Sequence, residues 1–125
     1  MIRVLLDHTC VHALAEGDEF LNGLYVEAGH GYAELTVPAL SAAVAERERP
    51  GTGQHVLNRR FVTTTAFGTA HAAVAGAWQH ADWRVLHPAS ALIVAQQTGE
   101  DATLLSLTPD LYRGTGVTPL NPLSP

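Results

Sequence analysis

The chain reads as an α/β protein, a three-layer α/β/α sandwich around a mostly parallel sheet, and three observations predict this. Short runs of strand length alternate with helical patterns along the whole sequence. The first run, Ile2, Val4, Leu5 and Leu6, is apolar on both faces, as a strand covered above and below requires. Turn-formers separate the runs, most clearly Pro50-Gly51-Thr52-Gly53.

The elements follow in order. The first strand stops at a charge, Asp7, and Thr9 stands where an N-cap would open a helix from Cys10 to Ala15, ended by Gly17. A second helix begins at Asp18 and carries Phe20, Leu21, Leu24, Tyr25 and Ala28 at helical spacing. Four of these, Phe20, Leu21, Leu24 and Tyr25, are more apolar surface than a small core needs. Asp18 and Glu19 suit the positive end of its dipole, and Gly29-His30-Gly31 closes it. Leu35-Thr36-Val37 is a brief strand, and Pro38 leads into a helix over Ala39–Glu48. There Leu40, Ala43 and Val44 are expected inside and Glu46 to Arg49 outside. A short helix over 54–58, a strand over 61–64 and a small-residue helix over 66–78, close against the sheet, come next. A helix over 89–97 is entered through His87-Pro88. Strands over 103–107 and 117–120 flank a turn at Pro109–Tyr112. The domain is expected to span 1–120, with a loose tail at 121–125.

Composition narrows the function. The 125 residues carry a formal charge of −5, and all seven basic residues are Arg. With 46% hydrophobic residues the chain can build a core, so disorder is not expected. A surface that coats a polyanion needs clustered positive charge, which this balance lacks outside a local patch. Cys10 is the single cysteine, so an internal disulfide and a cysteine zinc cluster are excluded. No apolar stretch nears the roughly 18 residues of a membrane span. Met1-Ile2-Arg3 runs straight into the first strand rather than into a signal peptide. The expectation is a reduced, cytoplasmic protein of one domain, not bound to a membrane.

Three groups of phrases carry a resemblance. They are Val4-Leu5-Leu6-Asp7-His8-Thr9, then Val37-Pro38-Ala39-Leu40, then Ala91–Ala95 with Ala102–Ser106 and Pro109–Tyr112. In this order, from Ile2 to about Leu120, the chain resembles a PIN domain, the fold of VapC-type toxin ribonucleases. That family gathers three or four carboxylates at the sheet rim around Mg²⁺ or Mn²⁺, and the ion orients a water and stabilises charge on the scissile phosphate. The resemblance implies a homodimer, an antitoxin-like protein partner and RNA as ligand.

Carried over position by position, Asp7 matches the first acid and Thr9 the hydroxyl residue after it. Ala42, Ala43 and Val44 stand where the second acid is expected, with Glu46 about one helical turn beyond Ala43 as a partial substitute. Ser90 occupies the third position and Thr108 the fourth, with Asp110 two residues late. Asp7, Asp110 and Glu46 are therefore the residual catalytic candidates, and Asp7, Ser90 and Thr108 the metal positions. Ser and Thr offer neutral oxygens only. One carboxylate with neutral helpers suits Mg²⁺ poorly, so no cofactor is expected unless the chain is active, when it would be Mg²⁺ or Mn²⁺.

Other residues have two readings. His8 and His12 share a helix face if the helix begins early, and with His87 they could gather at one rim as metal ligands or proton carriers; scattered histidines are more often surface or core residues. Arg59-Arg60, the one adjacent basic pair, is a weak RNA-contact candidate, and Arg47 and Arg49 flank a helix end; pairing with Glu46, Glu48 or their like is the ordinary alternative. Trp78 and Trp83 suit base stacking or a subunit interface. Cys10 sits in a first helical turn, which lowers a thiol pKa somewhat, but a buried inert Cys is the commoner case. The leading reading is a PIN-like module with a decayed metal site that binds protein or RNA. The alternative is a Mg²⁺/Mn²⁺-dependent endoribonuclease toxin of a toxin–antitoxin pair. A receiver-like module would need a phosphoacceptor Asp where Phe61–Thr65 has none.

Overall fold

The computed structural model describes residues 2–123. In chain order its elements are β1 (Ile2–Leu6), α1 (His8–Ala15), α2 (Glu19–Gly29), β2 (Ala33–Pro38), α3 (Ala39–Glu48), α4 (Thr52–Leu57), β3 (Val62–Thr65), α5 (Thr69–Ala75), α6 (Leu86–Gln97) and β4 (Ala102–Leu105). Short 3-10 turns cover Trp83–Val85 and Pro109–Tyr112. All four strands are parallel, in the order β3-β2-β1-β4.

The alternation of β1 divides the core. Val4 and Leu6 join a cluster with Val11 and Leu14 of α1, Leu21 of α2, Ala42 and Ala45 of α3 and Val56 of α4. Leu5 turns to the other face and packs with Val85, Ala89, Leu92, Leu104 and Tyr112. Burying one side chain of this size stabilises by about 1.5–3 kcal/mol, and β1 contributes to both layers. The three-layer α/β/α sandwich expected from the sequence is the observed architecture. Among the described residues no helix is long and apolar enough to cross a membrane.

Several boundaries differ from the sequence expectation. The first helix starts at His8, two residues early, because Asp7 rather than Thr9 is its N-cap. Gly17 ends that helix with φ +89°, a left-handed conformation that glycine adopts without a Cβ clash. The inward face of α3 is Ser41, Ala42, Val44 and Ala45, whereas Leu40 and Ala43 lie outside; the helix phase is one residue from the expected one. Of the apolar residues on α2, Leu21 is buried in the core and Phe20 is 48% exposed, so the free surface there is narrower than the spacing implied.

The small-residue helix is shorter, confined between Gly68 and Gly76, and packs on α6 rather than on the sheet. The next helix begins at Leu86 and takes Pro88 into its first turn, where the missing N–H goes unused. The strand expected at 117–120 shrinks to one bridge, Leu105 to Leu120. Gly116 at φ +77° and Pro119, which has no N–H to give, stop a longer ladder. In the expected tail, Leu123 N–H donates to Asn121 Oδ1 at 3.0 Å, and residues 124 and 125 lie outside the described ones.

Candidate functional site

Asp7 leaves the carboxyl end of β1, the rim at which ligands bind in parallel α/β sheets. Its side chain is 0% exposed. Oδ1 accepts from Thr9 N–H at 3.0 Å, from the Thr9 hydroxyl at 2.5 Å and from Cys10 N–H at 3.2 Å. Oδ2 accepts from the Tyr112 hydroxyl at 2.7 Å. Two of those donors are free N–H groups of the first turn of α1, so the carboxylate caps the helix and meets the positive end of its dipole. Thr9 extends the junction: its hydroxyl oxygen also accepts from Leu107 N–H at 2.9 Å, which ties α1 to the segment after β4.

The surroundings fix the protonation of its partners. Burial, then the Asp7 charge, holds the Tyr112 hydroxyl far above the ordinary phenol range, so it stays a donor. Burial and the same charge push the Cys10 thiol up, which overrides the helix end that would lower it. Cys10 is thus a small core residue.

The other acid-set positions go elsewhere. The Ser90 hydroxyl is buried and turns back on its own helix, donating to the carbonyls of Leu86 at 2.6 Å and His87 at 3.1 Å. Glu46 accepts from Gly51 N–H at 2.6 Å and Gln54 N–H at 3.0 Å, and these bonds lower its pKa. It caps α4 rather than approaching Asp7. Thr108 and Asp110 are exposed and line a cleft of about 690 Å³ with His8, Thr9, Glu48, Arg84 and Leu107.

One side of that cleft is a charged chain. Glu48 accepts from His12 Nε2 at 2.8 Å and lies 3.7 Å from Arg84, which holds Asp82 at 2.8 Å. Burial alone would raise the Glu48 pKa, but His12, His8 and Arg84 together bring it below the ordinary carboxylate range. Burial lowers the pKa of His8 against the opposing pull of Asp7 and Glu48, and its buried Nδ1 has no hydrogen-bond partner among the described residues.

His87 does not join His8 and His12. Its Nδ1 accepts from Leu40 N–H at 3.0 Å, and its ring meets Phe67 and His71 edge-on. Burial, and then His71, lower its pKa to about 4. The expected pairing with Glu46, Glu48 or their like holds for one of these arginines. Arg49 pairs with Glu16, whereas Arg47 lies over Trp83, Arg59 over Tyr25 and Arg60 over Phe61. Trp78 packs against the Leu5 cluster and Trp83 is 56% exposed.

This donor set does not fit Mg²⁺ or Mn²⁺. Both oxygens of Asp7 are occupied by protein donors, and Ser90 and Glu46 are committed to backbone partners. Among the described residues no group of three or more His, Cys, Asp or Glu side chains is placed to hold a metal ion. Tyr112 is the residue that sequence reading missed; only its place in the Pro109–Tyr112 turn hinted at the rim. The chain matches no family model, and no curated protein or solved structure matches it either.

Proposed function

We propose that the chain is a PIN-like domain with a decayed metal site, acting as a non-catalytic or barely catalytic module that binds protein or RNA. The observation that carries this reading is the enclosure of Asp7, whose four hydrogen bonds leave no oxygen turned to solvent. A ligand to a hard cation must present a free lone pair, and Mg²⁺ sheds water only for anionic oxygen. Electrostatics points the same way. Two carboxylates about 4 Å apart repel by roughly 1 kcal/mol in water and more in a drier cleft, so an acid cluster persists where a cation holds it together. Here Ala, Ser and Thr replace most of that cluster.

A binding role has support beside this rim. On α3, Leu40 and Ala43 are exposed, and Arg47 farther along the same helix is stacked on Trp83. An apolar stripe of this kind suits a protein partner, a second copy or an antitoxin-like chain included. This reading keeps the cytoplasmic location expected from the sequence.

Calorimetric titration with MgCl₂ and MnCl₂, paired with RNA cleavage assays in Mn²⁺, tests the reading. No millimolar binding is expected, and Asp7→Asn should leave any residual RNA cleavage unchanged. Millimolar or tighter binding that disappears in Asp7→Asn, together with metal-dependent cutting, would make the protein the endoribonuclease toxin instead.

A further inference from the structure

The opposite, amino-terminal end of the sheet carries a second charged surface, independent of Asp7. β2 and β3 run parallel from the pair Leu35 and Val62, so the residues entering them, Tyr32–Glu34 and Arg59–Phe61, share this rim. The guanidinium of Arg59 lies 5.2 Å over the Tyr25 ring, that of Arg60 5.4 Å over Phe61, and the two rings are 5.8 Å apart. The result is a row of cation, ring, ring and cation. Gly29 leaves room for it, because a Cβ there would sit 3.1 Å from the Phe61 ring. Beside Phe61 and Arg60 is a hollow of about 290 Å³ floored by Ala28 and Ala33 and bounded by Glu34. Tyr32, 70% exposed, stands at the same rim with His30 edge-on to its ring.

This surface holds two adjacent arginines that, like Arg47 and Arg113 elsewhere, have no carboxylate partner among the described residues. Arg3, Arg49 and Arg84 each pair with carboxylates. Arg59 Nη2 donates to the Leu14 carbonyl at 3.4 Å and lies 3.3 Å from His55 Nε2, which leaves its Nε and Nη1 donors and the edge of Arg60 for an oxyanion. Guanidinium groups beside rings such as the exposed Phe61 and Tyr32 are elements by which proteins hold single strands. Glu34 at the hollow is paired with Arg3 at 3.2 Å, which offsets its charge beside the two arginines. Two phosphate contacts on a chain of net charge −5 fall short of the footprint a duplex needs.

We infer that this rim binds a short single-stranded nucleic acid segment, with phosphates on Arg59 and Arg60 and bases against Tyr32 and in the hollow beside Phe61. Fluorescence anisotropy of the whole chain with labelled uridine and thymidine oligonucleotides of about ten residues, over roughly 20 to 200 mM salt, tests it. Two phosphate contacts give a slope of log affinity on log salt of about −1.4. The double variant Arg59→Gln/Arg60→Gln should bring that slope near zero and weaken binding about tenfold or more. Tyr32→Ala should weaken binding about tenfold at an unchanged slope, as loss of one stacked base does. Thermal melting checks that each variant is folded, and a preference for the uridine over the thymidine strand would mark RNA as the ligand. Asp7→Asn should bind like wild type, so this inference and the reading of the carboxyl-end rim stand or fall separately. Absence of binding at the lowest salt, unchanged binding by the folded double variant, or equally tight binding of a polyglutamate peptide would overturn it.

Discussion

Asp7 and Glu46 close the same kind of gap in opposite surroundings. Each carboxylate accepts from the free N–H groups at the start of a helix, α1 for Asp7 and α4 for Glu46. Asp7 does so in the core, with a phenol from the far end of the chain closing its second oxygen. Glu46 does so at the surface, where water can replace it. The difference teaches that a residue's chemical type says little about its energetic weight until its burial is known. A buried donor left without a partner costs about 1–3 kcal/mol, and a solvated one almost nothing.

The largest expected effect comes from emptying the buried junction. Asp7→Ala leaves Thr9 N–H, the Thr9 hydroxyl, Cys10 N–H and the Tyr112 hydroxyl without their acceptor, and should lower the unfolding free energy by about 4 kcal/mol. Asp7→Asn keeps one acceptor oxygen and should lose less than half of that. Urea unfolding of both variants measures the pair, and equal losses would mean that the charge, not the hydrogen bonds, holds the junction.

Acid separates the two regions next. His87 has a folded pKa of about 4 against an ordinary 6.5, so between these values the unfolded chain binds more protons. Stability then falls as the pH drops from about 6.5 to 4, by an amount on the order of 3 kcal/mol, and His8 adds to the loss in the same direction. Glu46 has a depressed pKa, so its contribution is present above the ordinary carboxylate value and is lost only as the pH falls through the folded one. Thermal melts across this range check the order; His87→Phe should flatten the upper part of the profile and leave the lower part.

The smallest effect tests the surface junction directly. Glu46→Gln should shift the melting temperature least of all these changes, because its partners are solvated. Gly53→Ala in the same region should cost about 2 kcal/mol, since a Cβ there would press on the carbonyl oxygen of Ala42 where α3 and α4 touch. If Glu46→Gln proved the costlier of the two, the contrast between buried and exposed caps would fail.

The fold was legible because its signals are local. The apolar run of β1 ending at Asp7, the span of α3 and a break at Pro50-Gly51 could all be read from neighbouring residues, although Thr52 and Gly53, expected in that break, open α4. The helix start was misplaced because Asp7 and Thr9 are both good caps, and only the fold decides which oxygen faces the free N–H groups. The phase of α3 was displaced because Leu40, Ala42, Ala43, Val44 and Ala45 give a nearly continuous apolar run with little directional contrast. The site was legible in part: Asp7 was singled out and a helix-capping role is common at such positions. Its closure by Tyr112, and the stacking of Arg59 on Tyr25 of α2, join residues distant in sequence. No spacing rule reaches across such separations.

One consequence follows from the place of β1 between β2 and β4. During synthesis the first strand emerges early but gains its second neighbour only after residue 105, and Asp7 gains its last donor only with Tyr112. A nascent chain halted before that point holds a half-paired strand and an acid short of one partner, both open to the chaperones that patrol the ribosome exit.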